Sequence, residues 1–64
     1  MDWKGVKITS RDGRAVGIAT GATRSCQLSG CLGLRICVKW PDGKTTYPCT
    51  KGMRQEVNGE WRIE

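Results

Sequence analysis

Histidine and phenylalanine are both absent from this chain of 64 residues. Without histidine, a cysteine nucleophile has no imidazole base, so Cys–His catalysis is excluded. The carboxylates fall in turns or near the termini and show no pairing suited to general acid–base work. No phosphate-binding loop, dinucleotide fingerprint or nucleophile elbow is present. A non-enzymatic protein is therefore expected. Without phenylalanine, Trp3, Trp40 and Trp61 must supply most of the bulk of any core. No run approaches the roughly 20 apolar residues that cross a bilayer. The opening Met1-Asp2-Trp3-Lys4-Gly5 has no apolar stretch of the signal-peptide kind. A cytoplasmic location, with reduced thiols, is the expectation.

Acidic residues are scarce through the middle of the chain. From Arg14 to Arg54 there are seven basic residues and a single acid, Asp42, within a net charge of +5. A surface built from that segment would carry a positive field that attracts phosphates or acidic protein surfaces. Solubility alone also accounts for a charge of this size. Arg14, Arg35, Lys39, Lys44 and Lys51 are the candidate nucleic-acid-binding residues. Arg35 and Lys39 alternate on one strand, and the other three sit at turns or strand ends. Tyr47 and Trp40 are nearby and could stack on bases.

At 7.1 kDa the chain is one domain, spanning residues 1–64. Apolar residues alternate with polar ones in short runs separated by turn signals. Strands are expected near 3–9, 14–20, 34–40, 45–48, 53–57 and 60–64. Asp12-Gly13, Asp42-Gly43 and Asn58-Gly59 mark tight hairpins, the last of type I′. A two-residue turn at Asp42-Gly43 would set Trp40 against Thr45, Val38 against Tyr47 and Ile36 against Cys49 on the inner face. Cys37 and Lys39 would then face outward, opposite Pro48 and Thr46. Leu34, Ile36, Val38 and Trp40 form the expected core face, joined by Trp61 and Ile63. Ala15, Gly17 and Ala19 leave room for a bulky neighbour. Residues 21–33 read as a long loop, and Cys49 to Gly52 as a single helical turn. No window has a 3.6-residue period, so no long helix is expected.

Six short strands with one apolar face predict an all-β domain, a small antiparallel meander curled into a barrel. This layout resembles SH3-like barrels, the class that includes Tudor and KOW modules. The stretch Gly13 to Gly21 is similar to part of a KOW signature. The run Gly30-Cys31-Leu32-Gly33-Leu34-Arg35, with Val38 to Lys44 and Pro48 to Met53, resembles small bacterial proteins. The class resemblance implies, by analogy, a nucleic-acid-binding module. A protein-interaction or accessory domain, presenting a sheet edge or the cysteine loop to a partner, is the alternative. A monomer is expected.

Four cysteines occur, with the spacing Cys26-x4-Cys31-x5-Cys37-x11-Cys49. Chains this small often rely on a metal, a disulfide or a partner subunit. Zinc accepts thiolates without histidine. Cys26, Cys31 and Cys49 are the candidate ligands, converging around the long loop, with the fourth position left to an outside ligand. Cys37 is expected on the opposite face from Cys49, outside such a site. Two other readings stay open: reduced thiols packed as small hydrophobes, and disulfide pairing.

Overall fold

The computed structural model describes residues 3–26, 30–31 and 33–64. The chain is all-β. Its strands are β1 (Lys7–Thr9), β2 (Val16–Ser25), β3 (Leu34–Lys39), β4 (Thr45–Thr46), β5 (Met53–Gln55) and β6 (Trp61–Ile63). A single 3₁₀ turn, Thr50–Gly52, precedes β5, where one helical turn was expected. No helix among the described residues is long and apolar enough to cross a membrane.

The six strands make one sheet in the order β4-β3-β2-β1-β6-β5. The expected antiparallel meander is corrected at one ladder, because β1 and β6 run parallel. The expected closed barrel is corrected as well: the sheet is open, with β4 and β5 as its edges. The reason lies in the segment after β4. Pro48 has no N–H to donate, so the regular β3–β4 ladder ends after two residue pairs and continues only through the Pro48 carbonyl, which accepts the Ile36 N–H, and the isolated Arg35–Cys49 bridge. The chain then enters the 3₁₀ turn, which fills the gap between the edges. Thr50 Oγ1 accepts the Leu34 N–H at 3.3 Å, and the Gly52 carbonyl accepts the Glu64 N–H at 2.9 Å.

All three hairpins use one device. Asp12 Oδ1 accepts the Arg14 N–H, Asp42 Oδ1 the Lys44 N–H and Asn58 Oδ1 the Glu60 N–H, each at 3.0 Å. Gly13, Gly43 and Gly59 follow with φ between 77° and 87°. These are not two-residue turns. Type I′ needs positive φ at both central residues, and no non-glycine residue among those described has it. In the second hairpin the Trp40 carbonyl accepts the Gly43 N–H, and the Trp40 N–H is donated to the Lys44 carbonyl. That is a three-residue loop, Pro41-Asp42-Gly43. Proline's fixed φ suits its first position, and glycine closes it in the left-handed region. The expected register is therefore wrong by one residue: Lys39 pairs with Thr45, Val38 with Thr46, and Arg35 with Cys49. Asn58-Gly59 closes the same way, with the Gly59 N–H on the Glu56 carbonyl, so the type I′ expectation fails there too.

Strand β2 is longer than expected. It runs through Ser25 and shifts register between Ala19 and Thr23 before pairing Arg24 with Arg35 and Ser25 with Leu34. The first part of the expected loop is thus ladder. Residues 27–29 and 32 of that loop lie outside the described residues.

The core is a cluster of Trp3, Ile8, Ala19, Ile36, Val38 and Met53, with Val6, Trp40, Trp61 and Ile63 packed against it. These residues come from both halves of the sheet, so the sheet curls around them. The small-residue stripe on β2 makes that curl possible. A Cβ on Gly17 would lie 2.5 Å from Val38 Cγ1 and 2.9 Å from Trp40 Cε3. Trp3 is the buried tryptophan and meets Trp61 with ring centroids 5.0 Å apart. Leu34 departs from the expected core, being 36% exposed. It pairs with Ser25 at the far end of β2, beyond the reach of the cluster. Ile36→Ala is expected to cost roughly 2–5 kcal/mol in denaturant unfolding, as a cavity in a close-packed site. Leu34→Ala is expected to cost less than about 1 kcal/mol. Equal losses for the two would contradict this placement of the core.

Candidate metal centre and basic face

Three elements bring three cysteines together. Cys26 follows β2, and its N–H is donated to the Gly33 carbonyl at 3.1 Å, which closes the loop between β2 and β3 at its base. Cys31 sits inside that loop. Cys49 stands immediately before the 3₁₀ turn and bridges to Arg35 across the sheet. Their sulfur atoms all lie within 4.8 Å of one another, close enough to hold one metal ion. Cys31 Sγ and Cys49 Sγ are 3.6 Å apart. Zinc–sulfur bonds of ~2.3 Å set the edge of a thiolate tetrahedron at about 3.8 Å, so this spacing needs little adjustment. It is too long for a disulfide, whose S–S bond is about 2.05 Å. Among the described residues no disulfide is formed.

Gly33 makes the convergence possible. A Cβ there would sit 2.7 Å from Cys49 Sγ and 2.6 Å from Lys51 Cγ, so only a bare Cα fits. Its N–H points at Cys31 Sγ, 3.4 Å away. With the thiols protonated, Cys26 holds the Cys31 thiol above its ordinary value, Cys49 adds to that, and the Gly33 N–H opposes both. A cation among the sulfurs would reverse the balance, because it favours the thiolates. Cys26 is buried, while Cys31 and Cys49 are half-buried. Cys37 lies outside the group, but the expected reason is corrected: it is buried rather than outward-facing, and with Cys49 across from Arg35 the two cysteines share one face of the sheet. The expected position of Cys49 on the core face, opposite Ile36, is corrected by the shifted register. It stands opposite Arg35 instead.

The basic residues divide between the two ends of β3. Arg35 and Lys39 share its outer face by strand alternation. Arg35 is partly committed, donating from Nη1 to the Tyr47 carbonyl at 2.8 Å. Lys51 lies beside Gly33 and Cys49 at one end. Lys44 is exposed in the hairpin tip at the other end. Arg14 reaches that same end from the first hairpin, where it lines a groove of about 550 Å³ with Val16, Trp40 and Pro41. Arg24 was not singled out by sequence reasoning. Its guanidinium lies over the Tyr47 ring, 4.1 Å from the centroid. Its pairing with Arg35 across an extended β2 was the missing signal. Asp12 and Asp42 line the same groove as Arg14, so that end of the sheet carries both signs of charge. Glu56 and Glu64 pair with Arg54 and Arg62 on and around the β5–β6 hairpin. Asp12 is held below its usual range by the Ser10 hydroxyl and the Arg14 N–H.

No family model matches the chain, and neither a curated protein nor a solved structure is found similar to it.

Mild oxidation of the metal-free protein should form a disulfide between two of Cys26, Cys31 and Cys49 and leave Cys37 as a thiol, as read by peptide mapping. A dominant disulfide through Cys37 would contradict the clustering.

Proposed function

We propose that this chain is a small non-enzymatic nucleic-acid-binding module whose binding surface is braced by a zinc ion on Cys26, Cys31 and Cys49. The observation that carries this reading is the placement of the sulfur cluster next to a basic and aromatic sheet face. Cys49 stands across from Arg35, Arg35 pairs with Arg24, and Arg24 lies over Tyr47. Lys39 extends the face along β3, and Lys51 flanks the sulfurs. A zinc ion would tie the loop between β2 and β3 to the chain entering the 3₁₀ turn, so that these cations sit on a fixed frame. Phosphates would be attracted by the field of this face and would be bound without base readout. The SH3-like resemblance is consistent with such a role by analogy only.

A second reading has its own support. Val16 and Ile18 are 45% and 51% exposed on β2. They suit an apolar protein partner better than a phosphate backbone. Salt separates the two readings, since phosphate contacts weaken steeply with added salt.

Arg35 is a poor choice for a test because it also supports Tyr47. Lys39→Glu combined with Lys51→Glu changes exposed side chains of this face only. By fluorescence anisotropy at about 50 mM salt, the wild type is expected to bind labelled single strands weakly and without sequence preference. The double variant should bind more weakly to every sequence, and its salt slope should fall by roughly one per lost phosphate contact. No binding by the wild type at on the order of 100 μM protein would remove the nucleic-acid reading, since non-specific affinities reach that range. The protein-partner reading would then stand in its place.

A further inference from the structure

The geometry points to a zinc centre with an exchangeable fourth position, which takes a monodentate thiolate from outside the fold. This rests on the metal reading above. The ligand count leaves one position open. Among the described residues, no fourth histidine, cysteine, aspartate or glutamate atom joins the three sulfurs. Outside the described residues, the loop positions Gln27, Leu28, Ser29 and Leu32 carry none of those side chains, and Asp2 near the N-terminus is the one such group. Cys37 belongs to β3 and is buried there, outside the group. Zinc with three protein ligands keeps a fourth position for water or another small ligand.

Access and charge give the ligand class. Cys26 is buried, whereas Cys31 and Cys49 are half-buried, so the cluster opens toward solvent on their side. Three thiolates on a divalent ion leave a net charge of about −1 and a soft donor set that favours a further sulfur over oxygen. A fourth thiolate adds another negative charge. Lys51, whose side chain packs with Cys49 Sγ around Gly33, is the cation placed to offset it. The exchange balances simply. Bound water leaves as the zinc–oxygen bond breaks, the incoming thiol gives its proton to solvent, and a zinc–sulfur bond forms. No electron is transferred.

Cobalt substitution of the full chain tests this, starting from protein reduced with a phosphine and free of added thiol. Co²⁺ should give the intense visible bands of a tetrahedral thiolate site. Titration with β-mercaptoethanol should then shift those bands in one saturable step, with one thiol per cobalt. Cys37→Ser should give the same bands and the same shift. Bands that ignore added thiol would mean the site is closed from within, and would overturn the inference while sparing the metal reading. A native mass with two chains per cobalt would assign the fourth ligand to a second copy and would also overturn it. Absence of the bands altogether would remove the metal reading itself. If Cys37→Ser does not fold, the wild-type titration still decides.

Discussion

The register of the β3–β4 hairpin decides which face Cys49 occupies, and the candidate site follows from it. A two-residue turn would place Cys49 opposite Ile36, with its sulfur in the core. The three-residue loop Pro41-Asp42-Gly43 moves the pairing by one position, and a shift of one exchanges the two faces of a strand. Cys49 is thereby carried to the side of Arg35, where Cys26 and Cys31 also arrive. The cause is local. Pro41 is suited to the first loop position, Asp42 binds the Lys44 N–H, and Gly43 alone adopts positive φ.

The same sheet separates two kinds of surface. Its inner face wraps Ile8, Ile36 and Val38, all fully buried. The β5–β6 edge carries paired charges, and such exposed pairs contribute about 0–1 kcal/mol each. Lys39, Lys44 and Lys51 lie on β3, in the β3–β4 loop and in the 3₁₀ turn. Arg24 over Tyr47 adds about 0.5–1 kcal/mol of cation–π attraction at an exposed site, which is enough to favour one orientation of the ring.

Much of this was legible in the sequence. Alternation from Leu34 to Trp40 located β3, and each of the other strands falls within or across an expected run. Asx-Gly pairs marked all three turns. The loop length was not legible there, because Asp-Gly serves two- and three-residue hairpins alike, and Pro41 was the residue that distinguished them. The extension of β2 was hidden too: Gly21-Ala22-Thr23-Arg24-Ser25 has no apolar alternation, and its order comes from pairing with β3. That pairing also explains why Leu34 leaves the core and why Arg24 went unnoticed. The meeting of Cys26, Cys31 and Cys49 was foreseen from the loop's need for something to hold it. Gly33 was not singled out, because its role is close approach to sulfur rather than an unusual φ. Alternation alone does not distinguish an open curled sheet from a closed barrel; Pro48 and the short β4 that precedes it do.

The candidate site depends most on the three sulfurs acting as one ligand set. Electrospray mass under native and denaturing conditions measures this directly, on wild type and on Cys49→Ser purified with zinc present. One zinc per wild-type chain is expected under native conditions, with four reduced thiols once denatured and no retained zinc in the variant. Wild-type protein without zinc, or a Cys49→Ser chain that keeps it, would contradict this ligand set.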